Sequence, residues 1–192
     1  MGAKNDLSTR ELLIQSGLEE LQQYGVDGFS TRRVAKACGL SCAAPYKHFK
    51  DTREFIREIF GHVERQFLCM QQQVLEKYAK ESVRRQLVEI ALAYIQFLTE
   101  HPTFRRVVMM LEHDGNEDYR CLCGRMSMAT TGLVAKYCEQ VQMPPETRAR
   151  KTFLVRSLIY SAAMFFCSGE LEYNADNMAM VEGLLDREFD LA

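Results

Sequence analysis

What this chain of 192 residues has little of narrows it first. It holds only four prolines and 11 glycines, which suits a helical protein with few loops. No segment alternates apolar and polar residues as a half-buried strand does, and no repeat or low-complexity stretch is present. The most apolar run, Ser157 to Gly169, is 13 residues long and is bounded by Arg156 and Glu170. A membrane-spanning helix takes about 20 apolar residues, so no membrane partner is expected. The opening residues, MGAKNDLSTRE, lack the apolar core of a secretory signal. The seven cysteines are odd in number and form no CxxC pair. They sit inside helical patterns, as reduced thiols in a cytoplasm do. Cys121 and Cys123 do not share a helical face, and His113 beside them does not complete a metal set. No nucleophile–base pair is recognisable either. The expectation is therefore a cytoplasmic protein that is not an enzyme and needs no cofactor and no metal.

Disorder is excluded by what is present: 47% of residues are hydrophobic and 26% charged. The net charge of −2 argues against a uniformly basic protein, but its distribution is uneven. Residues 31–53 carry six Lys or Arg and one Asp, a local net charge of +5 that leaves −7 for the rest. A cationic patch on an acidic body is a directed electrostatic feature.

Periodicity predicts an all-α chain of about nine helices. Ser8-Thr9-Arg10-Glu11 reads as a capping box opening a helix from about Thr9 to Tyr24, with Gly25 as its stop. Ser30 or Thr31 can cap a short second helix ended by Gly39. Ser41 can cap a third, from Cys42 to about His48, with Pro45 in its first turn. Asp51-Thr52-Arg53-Glu54 is a second capping box. It opens a long helix to about Lys80, with Phe55, Ile59, Phe60, Val63 and Phe67 in its apolar stripe. Further helices are expected over 83–100, from Pro102 to near Glu112, over about 117–142, from Glu146 to about Gly169, and after Asn174. His113 to Asn116 reads as a loop.

Two short helices across a Gly-containing turn, braced by a first, make a helix-turn-helix. Its cations can reach phosphates on both sides of a groove, and Arg can pair bidentately with guanine. The stretches YGVDGFSTRRVAKACGLS and PYKHFKDTREFIREIF are similar to the DNA-binding domain of TetR/AcrR-type bacterial transcription regulators. The resemblance covers about residues 8–60; beyond that only length and helical layout agree. It implies an N-terminal helix-turn-helix domain, residues 1–52, and a helical effector-binding and dimerisation domain, residues 53–192. It implies a ligand-responsive regulator, acting as a repressor, whose partners are double-stranded operator DNA, a second copy of itself and a small molecule.

Residue by residue, the resemblance makes Thr31 and Tyr46 phosphate contacts. Arg32, Cys42, Ala43, Ala44 and Lys47 face base edges or the groove wall, and His48 and Lys50 lie on or beside backbone contacts. Arg33 belongs to the same cationic set. Thr52 departs from the pattern, since Lys is common there. Cys42-Ala43-Ala44 offers few hydrogen-bonding groups, so reading is expected to rest on Arg32 and Lys47, with alanine contacts to thymine methyls and DNA shape contributing.

The C-terminal part is rich in soft and aromatic side chains. Met109, Met110, Met126, Phe153, Tyr160 and Met164 are candidate linings of an apolar effector pocket. The helix ending near Gly169 is apolar nearly all round in its second half. With the last helix it is expected to form a four-helix dimer interface. One other reading stays open, a helical small-molecule-binding or interaction protein without sequence-specific DNA binding.

Overall fold

The computed structural model describes residues 8–102, 104–105 and 117–190, with the side chains of 117–127 excepted. Among the described residues there are seven α-helices and no strand. They are α1 (Thr9–Tyr24), α2 (Thr31–Ala37), α3 (Thr52–Lys77), α4 (Val83–Glu100), α5 (Glu117–Gln140), α6 (Pro145–Ser168) and α7 (Ala175–Glu188). The expected nine become seven for two reasons. The short third helix is a single 3-10 turn, Pro45–Lys47. The helix expected from Pro102 to Glu112, with the His113–Asn116 loop, lies almost wholly outside the described residues.

The chain forms two compact units: Met1–Gln66 with Thr103–Cys123, and Phe67–Pro102 with Gly124–Ala192. Helix α3 contributes residues to both.

In the first unit, local signals set each boundary. Ser8 accepts from the Glu11 backbone N–H and Glu11 returns a bond to Ser8, the full capping box. Ser30 caps α2 through the Arg33 N–H. At the other end the Leu40 N–H donates to the Ala35 carbonyl and the Gly39 N–H to that of Lys36. This is a Schellman ending, with Gly39 at φ 68°. Asp51 accepts from the Glu54 N–H, while Glu54 reaches back to the Lys50 N–H, one residue beyond the expected partner. The core gathers Leu13, Ile14, Leu18, Leu21, Val34, Ala35, Phe49, Phe55 and Ile59, all buried. Phe55 is its centre, stacked on Phe49 at 4.1 Å and edge-on to Phe29 at 5.5 Å. Gly17 lets α1 approach α3: a Cβ there would lie 2.6 Å from an Ile59 methyl.

In the second unit, packing dominates. Ala91, Ile95 and Leu98 of α4 meet Ile159, Ala162, Ala163 and Phe166 of α6 and Val181 and Leu185 of α7. A second cluster joins Val83, Leu87 and Val88 to Tyr137 and Phe189. The Tyr137 hydroxyl donates to the Phe189 carbonyl. Arg84 closes this end. Its guanidinium donates to both carboxylate oxygens of Asp186, to the Asp186 carbonyl, and to Asp190 at 2.7 Å. Those bonds hold its pKa above the ordinary arginine range. No described helix is long and apolar enough to cross a membrane.

Candidate nucleic-acid interface

The third element deviates from the expected helix because of Pro45. A regular α-helix over 42–48 would have residue 45 donate to the Ser41 carbonyl, and proline has no N–H to give. The Ser41 carbonyl instead accepts from Ala44, and the chain continues in tight bonds from Lys47 to Ala44 and from His48 to Pro45. Phe49 then enters the core and anchors the turn. Pro45 is buried beneath it, and Tyr46, Lys47 and His48 project outward.

The exposed side of the 31–53 run carries Arg32, Lys36, Cys42, Ala43, Tyr46, Lys47, His48, Lys50 and Arg53. Ala44 is half-buried. Tyr46 is 55% exposed, so its hydroxyl is available to an acceptor outside the protein. The His48 ring sits 6.2 Å from that of Phe49, which braces it from behind. A cationic surface of short elements with an aromatic hydroxyl at its centre has the chemistry to hold a polyanion.

Of the expected contacts, Thr31 turns inward, and Arg33 stays about half exposed while bonding to its own unit. Thr31 is only 6% exposed, and its hydroxyl pairs with that of Thr52 at 3.1 Å. This pairing gives Thr52, the departure from the family pattern, a structural partner. Arg33 pairs with the Glu20 carboxylate, lies over the Tyr24 ring at 4.1 Å, and donates to the Gly28 carbonyl at 2.5 Å. The hydrogen bond to Glu20 raises the Arg33 pKa. Arg33 is thus tied to its own unit by Glu20, Tyr24 and Gly28.

Sequence reading missed Glu20. It lies seven residues after Leu13 and three after Gly17, on the buried face of α1. A carboxylate in that register, with an arginine thirteen positions on, was the available signal. It missed Gln71 for a similar reason, a polar residue buried in the α3 stripe that donates to the Thr130 hydroxyl at 3.1 Å.

Of the six candidate pocket residues, only Phe153, Tyr160 and Met164 have described side chains. Met109 and Met110 lie outside the described residues, as does the side chain of Met126. Tyr160 is half-buried with its ring edge-on to Tyr94 at 6.2 Å. Phe153, 70% exposed, and Met164, 46% exposed, face outward from α6 and line no interior. Eleven residues apart, the two share one side of the helix, exposed at both positions. Cys38, Cys42, Cys69, Cys138 and Cys167 are not joined in disulfides. No metal-holding group of His, Cys, Asp or Glu occurs among the described residues. His113 and the side chains of Cys121 and Cys123 lie outside them.

Residues 13–59 match the family of bacterial regulatory proteins described as the tetR family. No curated protein matches the sequence. Solved structures with the same fold include a TetR-family transcription regulator from Marinobacter aquaeolei VT8, at 17% identity and a TM-score of 0.76, covering 93% of this chain and 94% of that one. A tetR-family regulatory protein from Rhodococcus RHA1 gives 16% identity and 0.76, covering 97% and 100%. The regulator FadR from Bacillus subtilis, in complex with stearoyl-CoA, gives 12% identity and 0.68, covering 93% and 97%. Residues 13–59 are thus similar to the N-terminal part of tetR-family bacterial regulatory proteins, and the chain as a whole shares the fold of these solved regulators.

Proposed function

We propose that the protein is a dimeric, cytoplasmic repressor that a small molecule releases from a palindromic operator. The observation that carries the DNA-binding half is the outward row Arg32, Cys42, Ala43, Ala44, Tyr46, Lys47, His48 and Lys50 on elements locked by caps and by Phe49. In this reading Tyr46, His48 and Lys50 grip phosphates, and Arg32 and Lys47 read base edges. Two such surfaces in a dimer engage half-sites about one DNA turn, roughly 34–36 Å, apart. Recognition belongs to residues 1–52, effector binding and dimerisation to 53–192.

The exposed apolar face of α6 and α7 supports the dimer. Phe153, Leu154, Met164 and Phe165 on α6, and Met180 and Leu184 on α7, are all exposed. The serines among them are self-satisfied: Ser161 donates to the Ser157 carbonyl at 2.7 Å and Ser168 to that of Phe165 at 3.2 Å. A face that is apolar and internally hydrogen-bonded can be buried without stranding polar groups. Phe153 and Met164 therefore belong to the interface in this proposal and leave the pocket.

The effector is an apolar small molecule, and the aromatic side chains around Tyr160 are the place for it. Phe67 meets Tyr94 at 4.8 Å and Phe97 at 5.9 Å, and Tyr94 meets Tyr160. The fold shared with the stearoyl-CoA complex makes long-chain acyl compounds the first to test. Binding would select among conformations through α3, one unbroken helix from Thr52 to Lys77.

The deciding experiment is selection of bound duplexes from a random DNA pool. An enriched inverted repeat with half-sites one turn apart is expected. Recovery of unenriched DNA would reject sequence-specific binding and favour the helical ligand-carrier reading.

A further inference from the structure

We propose that Glu20 and Arg33 form an internal clasp that sets the placement of α2, so that both act in DNA binding as positioning residues that do not touch DNA. The proposal rests on the DNA-binding reading above.

Glu20 is 8% exposed. A buried carboxylate is costly unless it is both paired and hydrogen-bonded. Here one oxygen, Oε1, accepts from the Ser30 backbone N–H at 3.0 Å, from Arg33 Nε at 2.8 Å, and from Arg33 Nη2. Ser30 is the cap of α2, and its own hydroxyl holds the Arg33 N–H. The carboxylate thus grips the cap and the first turn of α2 together.

The guanidinium extends the same tie to the rest of the connection. It covers the Tyr24 ring at the end of α1 and holds the Gly28 carbonyl in the loop. Gly28 has to be glycine for this, because a Cβ there would lie 2.4 Å from the Tyr24 carbonyl oxygen. One side chain therefore joins the last turn of α1, the loop, the cap and the first turn of α2. Arg32, the neighbouring residue, stays exposed on the outward side. The clasp fixes how Arg32 is presented while its own positive charge is balanced by Glu20.

A planar fork is required. Lysine keeps the charge but cannot bond the carboxylate and the carbonyl at once while stacking on a ring. A phosphate contact makes the opposite demand, since lysine serves there as a point charge. This difference separates positioning from contact.

The test uses the full chain, the duplex selected from the random pool and a random duplex of equal length, over a salt series. Parent, Arg33→Ala, Arg33→Lys, Glu20→Gln and the double variant Glu20→Gln/Arg33→Ala are compared, with Lys50→Ala as the contact control. Arg33→Ala and Arg33→Lys should both lose about five- to tenfold in affinity for the selected duplex, the worth of one broken hydrogen-bonded tie. Binding to random DNA should hardly change, and the dependence of log affinity on log salt should keep its slope. The double variant should be no weaker than the worse single one. Lys50→Ala should lower both affinities and reduce the slope by about 0.9 for each phosphate it no longer neutralises.

The clasp is overturned if Arg33→Lys binds like the parent while Arg33→Ala flattens the slope, because that is a phosphate contact. It is overturned equally if none of the variants weakens binding, or if the two losses add. Should Glu20→Gln fail to fold by circular dichroism, the Lys-against-Ala comparison decides alone. If the parent shows no salt-dependent DNA binding, the DNA reading itself has failed. The clasp then stands or falls on hydrogen exchange at the Ser30 and Arg33 amides, which Arg33→Lys must speed up.

Discussion

The two units of this chain are held together by different means. In the first, helices of 7 and 16 residues and one 3-10 turn are too short to be stable alone. Caps, a Schellman ending, a clasp and an aromatic stack at Phe55 impose their geometry. In the second, helices of 14 to 24 residues pack through wide aliphatic faces, with charged ties at Arg84, Arg85 and Lys151. The first unit has to present a few side chains at set positions, and local hydrogen bonds give that kind of definition. In the proposed function the second offers a face to a partner and an interior to a ligand, and aliphatic packing can adjust to both.

The strongest way to break this contrast is Phe55→Ala. The side chain is fully buried between Phe49 and Phe29, so truncation should cost about 3–5 kcal/mol. A denaturant titration should show the loss, and DNA binding should go with it. A cost below about 1 kcal/mol would mean the caps alone hold the unit.

Next in size is the outward face of the second unit. Phe165→Glu places a charge on the exposed apolar side of α6. Sedimentation equilibrium at micromolar concentration should then show monomer where the parent shows dimer, with helix content unchanged. A parent that sediments as a monomer would contradict the interface outright.

The DNA surface itself should divide. Tyr46→Phe and Lys50→Ala should weaken binding to all duplexes alike, whereas Lys47→Ala and Arg32→Ala should change the sequence preference by about 1–3 kcal/mol at one base pair. Uniform losses from all four would reject the division into clamp and readers.

Arg84→Met tests one charged tie of the second unit. Removing the bonds to Asp186 and Asp190 should lower stability by about 1 kcal/mol, since the guanidinium is partly exposed. Added salt should shrink the difference between variant and parent.

The smallest effect concerns His62 in the first unit. Its ring lies within hydrogen-bond reach of the Gln15 and Gln66 amides. Burial, then the nearby Arg65, lowers its pKa below the ordinary histidine value, with Glu11 opposing. The folded protein therefore resists protonation more than the unfolded chain does. Stability should fall as pH drops below about 6.5, where the unfolded histidine charges first. Thermal melts of His62→Gln should show a smaller fall over that window than those of the parent. An equal fall would assign the acid sensitivity to other groups.

Legibility followed the same contrast. The Ser8 box, the Gly39 ending, the Asn174 cap and the starts of α1, α4 and α7 could be read in the sequence, because each depends on side chains within a few positions. The short third helix misled. Pro45 suits a first turn, but it has no N–H for the Ser41 carbonyl, which Ala44 takes instead, and the chain tightens into a 3-10 turn. Arg33 read as a contact through its place in the cationic run, and Thr31 through the family resemblance. Their partners, Glu20 and Thr52, are 13 and 21 positions away. Phe153 and Met164 read as pocket for a related reason: helical spacing says which residues share a face, not which face is covered.

The order of residues alone was enough for the all-helical class, the helix-turn-helix, most helix boundaries and the cationic run, since periodicity, caps and charge are properties of neighbours along the chain. The folded arrangement was needed to show that Arg33 pairs with Glu20, that Thr52 pairs with Thr31, and that the side of α6 at Phe153 and Met164 is exposed. Each of these depends on residues far apart in sequence being brought within a few ångströms, and a linear pattern carries no record of that.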